Sequence, residues 1–412
     1  MIKKAIFATI AWGIAVATVA AGDNTRVTTD RTDGRFLSSR GTVQNLMAEK
    51  RPELTFDENM TPGKFKSWQK AMQKSMARIM KHPDVKTPAP RRVAAVQRDG
   101  YRVEKWESYP LPKSVVPFLV MIPDGVSADT PAPATLCIPG FGQTKELLAG
   151  ERSGNYDLEG EADSIVRPAA MGLHYVRQGL VAVVVDNVSS GELSDNGYFD
   201  YIATSRFLLE LGWSYLGLCS YQDRVILDWM KVQDFIRRDR IIASGFSLGT
   251  EPMMVLGLLD KSIYAFVYND FLCRTRERAL VMTKPDAYGA RPFPNNIEHL
   301  IPEFLTLFDF PDIVAALAPR PVICTEGGMD RDFDIITKAY KIAGAEGHFA
   351  RYHYAKYADP ASRLQLDSVP EGIDRTEFFR IANVDPPHHY FKREWVMPWL
   401  KELLNEADGE EK

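Results

Sequence analysis

Beyond residue 60 the apolar positions follow two rhythms. Phe65, Trp68, Met72, Met76 and Ile79 recur at three- and four-residue steps, the spacing of one helical face, and Pro83, Pro88 and Pro90 end that helix. Short apolar runs then predict a strand pair at Tyr101–Ser108 and Val115–Ile122, joined through Pro110 and Pro112. From there strands alternate with helices. The strand candidates are Ala134–Ile138, Leu180–Val185, Arg240–Ser244, Tyr264–Tyr268, Pro321–Thr325 and Arg351–Tyr357. Helical patterns fall near Ile165–Gln178, Tyr221–Arg237, Leu248–Leu259 and Asp334–Ala343. Buried strands separated by helices predict an α/β fold with a mostly parallel sheet covered on both faces. Residues 22–62 are polar and irregular and read as an arm.

Composition adds boundaries to this picture. The 412 residues are 45% hydrophobic and 25% charged, enough apolar material for a large core. The net charge of −4 is spread without a basic stripe, so no nucleic-acid partner is expected. The chain opens with Met1-Ile2-Lys3-Lys4, an apolar run from Ala5 to Ala20, and small residues at Ala20, Ala21 and Gly22. That is the layout of a secretory signal peptide cut after Ala20 or Ala21. The alternative, a membrane anchor, needs roughly 20 apolar residues, more than this run holds. The expected organisation is a signal peptide at 1–21, a partly helical N-terminal extension at 22–95 and a catalytic domain at 96–406. The expected location is periplasmic or extracellular, without stable membrane insertion once the leader is removed. Cys137 and Cys324 sit in apolar runs and read as core residues; a Cys219–Cys273 bridge has no support from spacing.

The chemistry centres on Gly245-Phe246-Ser247-Leu248-Gly249, placed between a strand and a helix. A serine hydroxyl is a weak nucleophile unless it stands clear of the sheet beside a base, and a tight strand-to-helix turn flanked by glycines achieves this. The oxyanion formed by its attack needs two N–H donors. Leu248 supplies one, and the turn Cys137-Ile138-Pro139-Gly140-Phe141-Gly142 offers the other from Phe141, with Gly142 close behind. The acid is expected two strands after the serine, at a strand end. Asp330 fits best, after Glu326-Gly327-Gly328-Met329, with Glu326 and Asp270 as competitors. The base should come last. His348 and His353 read as structural, which leaves His388 and His389 in Asp385-Pro386-Pro387-His388-His389-Tyr390-Phe391, one as base and the other as its neighbour. About thirty residues separate this pair from the last strand candidate, long for a connection, so either a functional loop intervenes or the last strand is Glu377–Asn383. No metal is expected, since clustered ligands at binding spacing are absent, and no dinucleotide or phosphate loop points to a cofactor.

With these residues in place, the chain resembles α/β-hydrolases of the acetyl-xylan-esterase-like or dienelactone-hydrolase-like family over roughly residues 60 to 405. The likeness rests on Leu136 to Glu146, on Leu211-Gly212-Trp213-Ser214-Tyr215-Leu216-Gly217-Leu218, on the turn at Ser247, and on Phe308–Ile313 leading to Ala318-Pro319-Arg320-Pro321. It implies a metal-free Ser-Asp-His triad that carries over onto Ser247, Asp330 and His388 or His389. It also implies a helical extension behind a signal peptide, and a substrate class of esters on carbohydrates. The chain departs from the pattern at Pro139, where a loop-bracing His is usual, and at Thr250-Glu251, where small residues are usual; Glu251 is expected to face solvent. The alternatives to a serine esterase on carbohydrate or other small esters are a peptidase or amidase on the same fold, and a non-catalytic carbohydrate-binding member.

Overall fold

The computed structural model describes residues 29–151, 169–291 and 293–410. The leader and the start of the helix expected from Ile165 lie outside the described residues. Nine strands form one sheet: β1 Arg91–Arg98, β2 Tyr101–Ser108, β3 Val116–Pro123, β4 Ala132–Ile138, β5 Val181–Val185, β6 Ile236–Phe246, β7 Ala265–Asn269, β8 Val322–Cys324 and β9 Phe349–Arg351. Their spatial order is β1-β2-β3-β5-β4-β6-β7-β8-β9. β1, β2, β3 and β5 pair antiparallel; β5, β4, β6, β7, β8 and β9 pair parallel. Thirteen α-helices are described: α1 Ser39–Glu49, α2 Pro62–Met80, α3 Lys145–Ala149, α4 Met171–Val176, α5 Tyr201–Glu210, α6 Tyr215–Met230, α7 Thr250–Leu259, α8 Thr275–Val281, α9 Phe304–Leu307, α10 Phe310–Ala316, α11 Asp330–Ile342, α12 Arg375–Ile381 and α13 Arg393–Glu410.

At the centre of the sheet both faces are buried, and the strand pleat sorts residues between them. In β3, Phe118, Val120 and Ile122 enter a core with α2, α6 and α7, while Leu119 and Met121 enter a second core with α4 and α13. Burial on both sides explains why these strands read as unbroken apolar runs. The mostly parallel, doubly covered α/β sheet expected from the sequence is the one observed. The strand order reverses around β4, which lies between β5 and β6. In open α/β sheets such a switch point opens a crevice beyond the carboxyl ends of the strands.

The departures from expectation have local causes. Residues 39–49 form α1, capped by the Ser38 side chain, although their polar sequence carries no apolar stripe. β1 is an edge strand whose side chains are mostly exposed, so the burial pattern that marks strands is missing from it. α6 begins at Tyr215 under a Ser214 cap rather than at Tyr221. β6 begins at Ile236, where charged residues in the strand's exposed start read as more helix. β9 covers only Phe349–Arg351, and the alternative last strand at Glu377–Asn383 is instead helix α12 followed by a turn. All four cysteines are buried and free, so the Cys219–Cys273 bridge is not formed.

The N-terminal segment is part of the core. Phe65, Trp68, Met72, Met76 and Ile79 all point inward from α2, which packs on α6, α7 and α10. Gln69 donates to the Ala318 carbonyl at 2.5 Å, and the Trp68 indole N–H to the Leu54 carbonyl at 2.9 Å. The face of α7 that follows Ser247 is therefore backed by residues some 180 positions earlier in sequence. Met76 is fully buried. Met76→Ala is expected to lower unfolding free energy by about 2–5 kcal/mol in urea titration, through lost contacts and a residual cavity.

Candidate active site

Register alone brings two turns together. Ile138 at the end of β4 pairs with Gly245 near the end of β6, so the turn after β4 lies beside the turn after β6. Ser247 begins a short 3₁₀ turn leading into α7, with a φ of 50°. A serine in the left-handed region is strained and needs the surroundings to hold it. The two flanking glycines provide the room. A Cβ on Gly249 would lie 2.2 Å from the Ile138 carbonyl oxygen, and one on Gly245 would lie 2.4 Å from the Gly249 carbonyl oxygen. The Thr250 hydroxyl closes the turn by donating to the Ser247 carbonyl at 2.8 Å.

The facing turn, which carries Phe141 and Gly142, is pinned by residues that follow β5. Asn187, itself buried, donates to the Pro139 carbonyl at 2.8 Å. The Ser190 hydroxyl donates to the Gln143 carbonyl at 2.9 Å, and the Gln143 side chain accepts from the Gly140 N–H at 2.9 Å. Behind the turn, the buried Lys145 gives both its backbone N–H and its ammonium to Asp186, at 2.7 and 2.8 Å. These contacts brace the turn, which carries Pro139 where the resemblance leads one to expect a histidine. The Phe141 ring projects outward against Phe199 and Tyr201, with centroids 5.0 Å away in each case.

Ser247, Leu248 and His389 line one cavity of about 270 Å³. The His389 ring stacks on Phe246, the residue before Ser247, at 4.6 Å between centroids. Its Nδ1 is hydrogen-bonded to Oε2 of Glu326, a buried carboxylate just beyond β8. Glu326 is held in turn: Tyr354 donates to Oε2 at 2.9 Å, the Tyr390 N–H to Oε1 at 3.1 Å, and the Lys392 ammonium lies 3.4 Å from Oε1. Asn269 fixes the histidine loop, donating to the Tyr390 carbonyl at 3.2 Å and accepting from the Lys392 N–H at 2.8 Å. Burial of His389 opposes its cation, but the Glu326 hydrogen bond and the nearby Glu326 and Asp270 charges outweigh burial, and its pKa rises above the ordinary value.

Of the two histidines left open by the sequence, His389 reaches the cavity. His388 is largely exposed, bonds Asp385 at 2.8 Å and is absent from the cavity wall. Asp330 is not brought to either. It is the first residue of α11, where its Oδ2 accepts from Arg363 and Gln365 at 3.1 and 3.0 Å, and its Oδ1 lies 3.3 Å from His353. The glycines that made Asp330 attractive explain the displacement. Gly327 and Gly328 take φ of 73° and 146°, and the Leu272 N–H bonds the Gly327 carbonyl at 2.9 Å. The chain beyond Glu326 is thereby turned away over the end of β7. Glu326, weighed as a competitor, is the carboxylate that holds the imidazole. Its signal was its place at the first position after the apolar strand.

Two further features depart from expectation. Glu251 does not face solvent: it lines the cavity and bonds Nδ1 of His299 at 2.8 Å. Asp270, the other competitor, also lines the cavity, and Asp270, Glu326 and His389 each place one potential ligand atom within 4.8 Å of the others. That spacing would suit a cation, but Nδ1 of His389 and both Glu326 oxygens are already engaged with protein partners. The donor set is built around hydrogen bonds and suits the handling of a proton. The rest of the lining is mixed: Arg278, Asn295, His299 and Arg375 share the wall with Phe271, Phe310, Phe379 and Val384.

Comparison with known proteins agrees with the fold described above. A model described as the abhydrolase family matches residues 18–402. The chain is similar to a crystal structure of a candidate acetyl xylan esterase from Bacteroides fragilis NCTC 9343, with 53% identity, a TM-score of 0.88, and coverage of 93% of this chain and 98% of that one. It also shares its fold with methylesterase BT1017, at 17% identity and a TM-score of 0.51, over 72% of this chain and 60% of that one. None of the curated proteins matches it. No helix among the described residues is long and apolar enough to cross a membrane.

The close approach of the two turns yields a steric prediction. Gly249→Ala sets a methyl group against the backbone of β4, where no side chain can give way. The expected loss is about 1–3 kcal/mol of stability by chemical denaturation, typical of overpacking.

Proposed function

Because this chain belongs to the abhydrolase family, we propose that it is a serine ester hydrolase that deacylates carbohydrate esters through an acyl-enzyme on Ser247. The observation that carries this reading is the convergence of a strained Ser247 and a Glu326-held His389 on one cavity. With Nδ1 held by Glu326, the ring's Nε2 is the nitrogen left to take the serine proton. The serine oxygen bonds the ester carbonyl carbon, and the carbonyl electron pair moves onto oxygen, toward the N–H groups of Leu248 and of Phe141 or Gly142. Collapse expels the alcohol, which takes its proton from His389. Water, deprotonated by the same histidine, then releases the acid. Glu326 orients the ring and stabilises its cation, the role assigned to Asp330 on sequence grounds.

Two observations support a hydroxylated substrate. The cavity wall carries charged and amide side chains, and its volume lies just below the ~300–1,000 Å³ usual for pockets that take drug-sized ligands. The relative at 53% identity is a candidate acetyl xylan esterase. An acetyl group on a sugar fits both. In this reading residues 96–406 are the catalytic unit, the preceding extension buttresses α7, and a signal peptide exports the chain.

Hydrolysis of p-nitrophenyl acetate, and of acetylated xylan oligosaccharides, tests the proposal. Ser247→Ala is expected to cut kcat by on the order of 10⁶, and Glu326→Gln by about 10² or more. Asp330→Asn should leave kcat at the wild-type level while costing about 1–3 kcal/mol of stability. A Ser247→Ala protein that still turns over would overturn the nucleophile assignment. The base must be neutral to act, and the His389 pKa lies above the ordinary 6.5. Activity should therefore fall as pH drops, with the acid limb of kcat/KM centred above pH 6.5 and a plateau on its alkaline side.

A further inference from the structure

A single carboxylate suffices to orient a catalytic histidine, yet two lie close to His389: Glu326, buried behind the ring, and Asp270, in the cavity wall. Glu326 stands at the end of β8 and Asp270 at the end of β7, one strand nearer to Ser247. One oxygen of each and one His389 ring nitrogen lie mutually within 4.8 Å. Oδ1 of Asp270 accepts the Phe271 N–H at 2.8 Å, which fixes the carboxylate at the cavity wall. The reaction as written leaves Asp270 without a task.

We propose that Asp270 is a second carboxylate partner of His389, sharing with Glu326 the stabilisation of the imidazolium formed when the ring takes the Ser247 proton. This rests on the serine-esterase reading above. In the resting site two adjacent carboxylates repel, and the neutral imidazole compensates neither. When Ser247 attacks, its hydroxyl proton moves to the ring, the oxygen-to-carbon bond forms, and the new cation faces both carboxylates. The electrostatic gain is then larger in the transition state than in the ground state, which is the condition for acceleration.

The groups that face Asp270 set its response to pH. Glu326 from β8, Glu251 from α7 and the His389 loop surround it, with Tyr268 of β7 and Tyr354 nearby and Lys392 behind His389. Burial pushes Asp270 up to about 7, Glu326 and Glu251 add to the rise, and His389 opposes it. The acid limb of activity is then a joint titration of Asp270 and His389 rather than of the ring alone. As pH falls, protonation of Asp270 withdraws one of the two charges that favour the imidazolium.

The test is a double-mutant cycle with Asp270→Asn, Glu326→Gln and the combination, on p-nitrophenyl acetate, with pH profiles and thermal unfolding of each protein. Asparagine keeps the size and can still accept from the Phe271 N–H. Asp270→Asn alone should lower kcat by about tenfold and move the acid limb down by about one pH unit, with KM little changed. In the Glu326→Gln background the same change should cost clearly more, because the remaining carboxylate is then removed. Equal cost in both backgrounds with an unmoved limb would overturn the proposal and leave Asp270 as a wall residue. If Ser247→Ala were active as well, the esterase reading itself would fail, and the two failures are therefore separable. Should Asp270→Asn unfold at assay temperature, Asp270→Glu serves in its place: it keeps the charge, and the acid limb should remain near its wild-type position, whereas a limb lowered as if the charge were lost would contradict the role.

Discussion

The constraint on which the rest of the site depends is the close approach of the β6 turn to the end of β4. Gly249 lies against the Ile138 carbonyl with no space for a single methyl group. That contact permits Ser247 to hold a left-handed backbone, and it places Leu248 opposite the Phe141–Gly142 turn. Strain of this kind, about 1–3 kcal/mol for a non-glycine residue, persists only where surrounding structure over-determines it. Here the surroundings are β4 on one side and α7 on the other, and α7 is itself held down by α2 from the N-terminal segment. The extension and the nucleophile turn are thus linked by packing, though far apart in sequence.

A second layer of order lies at the strand ends. In passing from β4 to β8, the sheet delivers the Phe141 turn, Ser247, Asp270 and Glu326 in spatial sequence along one edge. The histidine comes from outside the sheet, on a loop that Asn269 and Glu326 anchor through backbone groups. Anchoring by main chain explains how a loop far from the last strand can present a ring with fixed orientation. The stack on Phe246 completes the alignment, since it ties the imidazole to the residue before the nucleophile.

Much of this was legible in the sequence, and the reasons for the rest are local. The parallel sheet was readable because strands buried on both faces cannot hide their apolar runs, as β3 and β5 illustrate. The turn at Ser247 was readable because only glycine tolerates the contacts on both sides. α1 and β1 were not, because an exposed helix and an exposed edge strand carry no periodic burial. Asp330 and Glu326 stand four positions apart, and spacing favoured the former; the decision lay in the φ angles of Gly327 and Gly328, which bend the chain before Asp330. Two adjacent histidines at one short turn have different partners, His388 the nearby Asp385 and His389 the distant Glu326, a distinction that depends on a contact across the fold. Glu251 was misplaced because its partner, His299, lies on a segment with no sequence signal of its own.

The most direct measurement is a pre-steady-state one. Mixing the enzyme with excess p-nitrophenyl acetate and quenching in acid before the first turnover completes should trap the intermediate, read by mass spectrometry of the digested protein. The proposed mechanism predicts one acetyl group on the peptide that carries Ser247, formed in step with a burst of p-nitrophenol. An enzyme that turns over with no such adduct, or that carries acetyl stably on another residue, would contradict it.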